Sequence, residues 1–146
     1  MYNFKKDLEF GIEMELRMID HLSKEGDIVE HWRGYNPDFD YSINGKTYEQ
    51  KSDRQTRYTG NMCIEICKVS GEPTGITRTK ADFWVYYPLG MKQVAVVPIE
   101  EMKRITREKY IKKIICGDFG GVHCLLVPWS ALPDEYKIDF DPPCLL

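Results

Sequence analysis

The chain is expected to fold as one α/β (α+β) domain over residues 1–146, a central mixed β-sheet flanked by helices, and three observations carry that expectation. Helical periodicity appears at 7–22 (DLEFGIEMELRMIDHL) and again after Pro98. Alternating, β-prone runs occupy much of the interval between them, at 27–32, 62–69, 83–87 and 92–97. Asn44-Gly45 marks a tight hairpin, because both central residues of a type I′ turn need φ > 0 and these two tolerate it.

In the first helix Leu8, Ile12, Leu16 and Ile19 recur along one stripe, with Glu15 at its edge. A carboxylate there either reaches water beside Arg17, pairs with a lysine, or serves a site. Residues 23–26 end the helix. The strand 27–32 sets Ile28 and Glu30 against Val29 and His31, and His31 reads as a packing or surface residue. Arg33, Gly34 and Tyr35 lead into a hairpin over 37–51, and a polar loop follows (SDRQTRYTGN).

The strand 62–69 puts Met62, Ile64, Ile66 and Lys68 on one side and Cys63, Glu65, Cys67 and Val69 on the other. Glu65 either lines a cleft, supports Lys51, or pairs at a sheet edge. A glycine-rich loop comes next, with Thr77 or Thr79 expected to cap a short helical turn through Ala81 and Asp82 before the aromatic strand.

Pro98 opens the second helix, where its missing N–H costs nothing, and Glu100 and Glu101 suit the positive end of the dipole. Met102, Ile105, Tyr110 and Ile114 give that helix an apolar face. Lys103, Arg104, Arg107, Lys109, Lys112 and Lys113 make it the densest positive patch of the chain, a candidate for nonspecific phosphate contact. A GDFGG turn, a strand over 122–127 and a peripheral tail from Pro133, with Pro142-Pro143, complete the order.

A length of 146 residues with 42% hydrophobic and 29% charged residues allows one real core, and no repeat, linker or low-complexity segment divides it. The net charge of −3 excludes bulk basicity as a route to nucleic acid, so phosphate binding must be local or metal-assisted. The opening residues, MYNFKKDLEF, mix charge and apolar side chains unlike a secretion signal, and no apolar run is long enough to span a bilayer, so a cytoplasmic protein with no membrane partner is expected. Five cysteines with no CxxC pair argue against a zinc, disulfide or iron–sulfur framework, and His21, His31 and His123 show no ligand spacing.

The chemistry concentrates in PDFDYSINGKTYEQK, residues 37–51. A two-residue turn at Asn44-Gly45 sets Ile43 opposite Lys46, Tyr41 opposite Tyr48, Asp40 opposite Glu49 and Asp38 opposite Lys51. Period-two alternation then sends Asp38, Asp40, Glu49 and Lys51 to one side, with opposed Cβ atoms about 5 Å apart. Carboxylates that close repel unless a cation or a shared proton relieves them, and hard oxygen ligands suit Mg²⁺ or Mn²⁺. The other reading is a solvated face on which the acids pair with Lys51.

The Pro-Asp, ten residues, Glu-x-Lys arrangement, with Asp40 as a second acid, resembles the PD-(D/E)xK (restriction-endonuclease-like) nuclease superfamily. Gly11 followed four residues later by Glu15 is similar to the first helix of its Holliday-junction-resolvase-like members. The run TGN, a strand with an internal Glu, then GITRTKADFW is similar to small phage-type members, so the likeness covers about Gly11 to Val97. It implies a restriction-endonuclease-like core and an Mg²⁺- or Mn²⁺-dependent deoxyribonuclease, in phage DNA recombination or processing and in the host cytoplasm if phage-encoded. Asp40, Glu49, Glu15 and the carbonyl of Gln50 would hold the metal, Asp38 being the alternative to Asp40, and Lys51 would act on the phosphate with Glu15, Asp40 and Glu49 as its catalytic partners. Arg54, Arg57 and Tyr58, in the loop leaving the hairpin, are the candidate DNA contacts. A homodimer is open, as is a nuclease-fold module that binds nucleic acid or protein without catalysis.

Overall fold

The computed structural model describes residues 4–32, 38–117 and 121–142. Arg33-Gly34-Tyr35, Pro37, the centre of the GDFGG turn and Pro143 lie outside the described residues. The architecture is mixed α/β. Six strands form one mixed sheet in the order β1 (Val29–His31), β2 (Tyr41–Ile43), β3 (Lys46–Asp53), β5 (Phe83–Pro88), β6 (Gln93–Pro98) and β9 (Lys137–Asp139). A second sheet of three runs β4 (Asn61–Lys68), β8 (Val122–Pro128), β7 (Lys112–Cys116). The helices are α1 (Phe4–Leu22), a short α2 (Thr56–Thr59) and α3 (Ile99–Lys109). Among the described residues only β3 and β5 pair in parallel, and the crossover between them runs through α2 and β4 of the second sheet.

Strand β5 is central and buried on both faces, which explains its unbroken apolar sequence. Trp84 and Tyr86 join Ala95, Val97, Met62, Ile64 and Val127 in one cluster, closed by Met102 and Ile105 of α3. Val85 and Tyr87, one residue out of phase, join Tyr41, Ile43 and Val94 in the other, closed by Met14, Met18 and Ile19 of α1. The buried stripe of α1 is therefore Met14–Met18–Ile19, with Phe10 and Leu22 alongside. Leu8 and Leu16 of the expected stripe remain 44% and 40% exposed. Helical spacing admits both stripes, and the flexible methionines fill the irregular surface that Tyr41 and Val85 present.

Three other elements depart from expectation. The second helix stops at Lys109, so Lys112, Lys113 and Ile114 belong to β7, where the Ile111 N–H bonds to the Leu126 carbonyl at 2.8 Å. The β-branched run IKKII prefers the sheet edge that β8 offers. The helical turn expected at Ala81–Asp82 forms earlier, as a 3₁₀ turn over Gly75–Thr77. A Cβ on Gly75 would stand 2.2 Å from the Glu65 carbonyl oxygen, so only glycine allows this turn to lie against β4. The tail does more than wrap: β9 adds an edge strand to β6, and Phe140 is buried.

Among the described residues no helix is long and apolar enough to cross a membrane.

Candidate metal-dependent active site

Asn44 and Gly45 both have positive φ (51° and 81°), and the hairpin register is the expected one, Ile43 opposite Lys46 and Tyr41 opposite Tyr48. The ladder ends at Tyr41. Asp40, one residue earlier, donates its N–H to the Tyr48 carbonyl at 2.9 Å, while its Oδ2 accepts the Gln50 N–H at 2.8 Å. That bond pins the carboxylate across the mouth of the hairpin.

On β3 the parallel register sets Glu49 beside Trp84 and Lys51 beside Tyr86, so both project to the face that those aromatics share. Lys51 Nζ lies 3.6 Å from Glu49 Oε1 and 5.9 Å above the Trp84 ring. Gln50 points the other way, is buried, and accepts the Tyr41 hydroxyl at 2.8 Å. With that side chain committed, the metal-ligating part assigned to Gln50 rests on its main-chain carbonyl.

Helix α1 delivers Glu15 to the same place. Its charge interacts with Asp40, Glu49 and Lys51, and its Oε2 lies 2.8 Å from His31 Nε2. The strand pattern assigns His31 to packing or surface alone. Alternation within β1 carries no hint of the Glu15 partnership, since it is made across sixteen residues to a helix. Asp38 departs from the one-face arrangement: it precedes the ladder, its carboxylate is 3.9 Å from Lys80 Nζ, and its carbonyl accepts from the Lys80 N–H and the Thr79 hydroxyl. The cross-strand pairing with Lys51 needs three more residues of regular hairpin than form.

Burial dominates the electrostatics. Desolvation, then the charges of Asp40 and Glu49, push Glu15 up to about 8 from an ordinary 4.5, with Lys51 opposing. Glu49 is pushed up to about 7, again by desolvation first; Lys51 opposes and Asp40 adds. Asp40 is raised by desolvation against the Gln50 N–H and Lys51. Desolvation pulls the Lys51 ammonium down, but Glu49, Asp40 and Glu65 outweigh it and leave it above the usual lysine value. Glu65 therefore acts on this site by charge, from β4.

Raised carboxyl groups stabilise the fold fully below their unfolded values and lose that contribution as pH rises through their folded ones. In chelator, the melting temperature is expected to fall between about pH 5 and pH 8.5, and Glu15→Gln to flatten the fall. Thermal scans across that range check it, and a level wild-type profile would show that these acids are not desolvated together.

The site opens on a cleft of about 440 Å³ lined by Gly11, Glu15, Gln50, Lys51, Asp53, Arg54, Cys63 and Tyr86, among others. Asp53 organises its rim: it accepts the Tyr86 hydroxyl, the Thr56 hydroxyl at 3.0 Å and the Gln55 N–H at 2.6 Å, and so starts α2. The segment expected as a loop is thus partly helical. Arg54 lies 3.9 Å over the Phe10 ring, and Arg57 stacks on Tyr58, which is 70% exposed. The basic patch on α3 is partly self-neutralised, since Arg104 pairs with Glu101 and Glu108, and Lys103 lies 3.7 Å from Glu100.

Two observations favour a hard cation among Glu15, Asp40 and Glu49. Desolvation disfavours the charge of all three carboxyl groups, and repulsion from Asp40 adds to it at Glu15 and Glu49. Glu49 Oε2 is in addition a buried acceptor without a hydrogen-bond partner among the described residues. Mg²⁺ and Mn²⁺ take carboxylate oxygens and keep several waters, which is the donor type these residues offer; among the described residues only a set of three thiols is drawn within 4.8 Å of one another. No family model, curated protein or solved structure matches the chain.

A second constellation has no signal in the sequence: the thiols of Cys63, Cys116 and Cys124, which β4, β7 and β8 bring together.

Proposed function

We propose that this chain is an Mg²⁺- or Mn²⁺-dependent deoxyribonuclease with a restriction-endonuclease-like, PD-(D/E)xK core, of the kind that processes or recombines phage DNA. One observation carries the reading: three half-buried carboxyl groups, one with a buried oxygen that has no hydrogen-bond partner among the described residues, stand beside a charged lysine at the edge of an open cleft.

Glu49, Asp40 and Glu15, with the Gln50 carbonyl, would hold the cation. When bound, it polarises the scissile phosphate and lowers the pKa of an attacking water. The chain's residues do the rest. The Gln50 N–H fixes one oxygen of Asp40, so the other would be the one offered to a cation. His31 orients Glu15, whose carboxyl is pushed up to about 8, by desolvation first. Lys51 stays protonated, which suits it to stabilise charge building on the phosphate oxygens rather than to abstract a proton. Trp84 beneath it limits the directions its chain can take.

Arg54 lines the cleft and Arg57 and Tyr58 follow on α2, side chains suited to contact the phosphate backbone. Replacing both arginines with alanine in a cleavage-dead Lys51→Ala background is expected to weaken DNA binding and reduce the slope of log affinity against log salt by about 2, roughly 0.9 for each phosphate that is no longer neutralised. Anisotropy titrations at several salt concentrations measure it; an unchanged slope would remove the loop from the interface.

The test of the function is incubation of the purified protein with Mg²⁺ or Mn²⁺ and linear duplex, single-stranded, flap or four-way-junction DNA, with a chelator control. Metal-dependent cleavage of at least one substrate is expected. Binding without cleavage under every condition would leave a non-catalytic nucleic-acid-binding module.

A further inference from the structure

The sulfurs of Cys63, Cys116 and Cys124 all lie within 4.8 Å of one another, and we propose that these three thiols form a second, independent site for a thiophilic cation of the Zn²⁺ class.

The strand register explains the convergence. Cys124 of β8 stands opposite Glu65 of β4 on one side and Ile114 of β7 on the other. Cys63 is two residues before Glu65 and Cys116 two residues after Ile114, so period-two alternation places all three cysteines on one face of the second sheet. Each outer cysteine is thereby a diagonal neighbour of Cys124, not its direct partner.

That geometry decides between a disulfide and a metal. Diagonal neighbours in an antiparallel sheet have Cα atoms about 7–8 Å apart, whereas a disulfide spans at most about 6.8 Å. On that spacing the 3.0 Å approach of Cys116 Sγ to Cys124 Sγ is read as a contact between two free thiols. A tetrahedral ion with Zn–S bonds of about 2.3 Å holds its sulfurs roughly 3.8 Å apart, between the 3.0 Å of the Cys116–Cys124 contact and the 4.8 Å within which all three lie.

The surroundings fit as well. Cys124 is buried, while Cys63 and Cys116 are half-buried. Cys63 lines the cleft, which supplies a route in for the ion and a side from which solvent can complete its coordination. Binding displaces the thiol protons to solvent. Soft sulfur ligands distinguish this site from the carboxylates at the hairpin, which prefer hard ions, so the two sites stand or fall separately.

The experiment titrates the reduced, metal-stripped full chain with Co²⁺ as an optical probe and then with Zn²⁺. One equivalent of Co²⁺ should bind with a sulfur-to-metal charge-transfer band that Zn²⁺ bleaches. Cys63→Ser and Cys116→Ser should each weaken Zn²⁺ binding by about tenfold or more, since each removes a ligand. Cys67→Ser, on β4 but outside the trio, and Glu49→Gln, at the carboxylate site, should leave the titration unchanged. Because Cys124 is buried and its replacement endangers the fold, the two half-buried cysteines carry the test, with circular dichroism confirming that each variant is folded. Absence of the charge-transfer band, its survival in both Cys63→Ser and Cys116→Ser, its loss in Cys67→Ser, or a Cys116–Cys124 disulfide found by mass mapping of the air-exposed protein would each overturn the proposal.

Discussion

Lys51→Ala is expected to lose cleavage by about 10²–10³-fold or more in kcat, the usual result of removing one charge-stabilising donor. DNA binding and the fold should survive, because the ammonium lies at the cleft and the core beneath it is Trp84 and Tyr86. Metal binding should survive too. Lys51 is the positive charge that a cation must compete with at Glu49, 3.6 Å away, so its loss does not weaken the carboxylates' need for a counter-ion. Single-turnover cleavage beside anisotropy binding separates these effects. A Lys51→Ala protein that cuts at the wild-type rate would remove the lysine from the mechanism.

Asp40→Asn or Glu49→Gln should abolish cleavage and most of the stabilisation by metal together, while Asp38→Asn should keep both. A ligand at 100 times its Kd adds about 2.7 kcal/mol to the native state, and for a chain of this size each kcal/mol is about 2–4 °C of melting temperature. A wild-type rise of several degrees in millimolar Mn²⁺ is thus expected, shrinking to near zero in Asp40→Asn and Glu49→Gln. The contrast with Asp38 follows from the hairpin itself, whose ladder ends at Tyr41 and leaves Asp38 against Lys80. Thermal scans of the three variants with and without Mn²⁺, beside the cleavage assay, decide it. Loss of both responses in Asp38→Asn with retention in Asp40→Asn would mean that the Pro-Asp acid is the ligand.

The hairpin is legible in the sequence because its information is local: Asn44-Gly45 sets the turn, the turn sets the register, and the register sets Glu49 and Lys51 on one face. Asp40 is legible for the same reason. Glu15 is legible as an acid bordering an apolar face, although the face that is buried runs through Met14 and Met18 instead of Leu8 and Leu16. What stays hidden depends on long-range pairing. His31 meets Glu15 only once β1 has joined β2, Asp53 finds Tyr86 only through the parallel β3–β5 ladder, and Cys63 meets Cys116 and Cys124, far along the chain, only in a second sheet that no local signal announces. The boundary of α3 shows the same limit, since Lys109 and Lys112 are equally at home in a helix and only β8 draws the latter into a strand.

The central claim is that Asp40 and Glu49 share a divalent cation, and Mn²⁺ binding followed by electron paramagnetic resonance reads it without reference to any substrate. At pH 7.5 the wild-type chain should deplete the free-ion signal at micromolar to millimolar Mn²⁺, more strongly as pH rises toward 8.5 and Glu15 and Glu49 give up their protons, and Glu49→Gln should leave the signal undiminished. Equal depletion by wild type and Glu49→Gln, or none by either, would contradict the account.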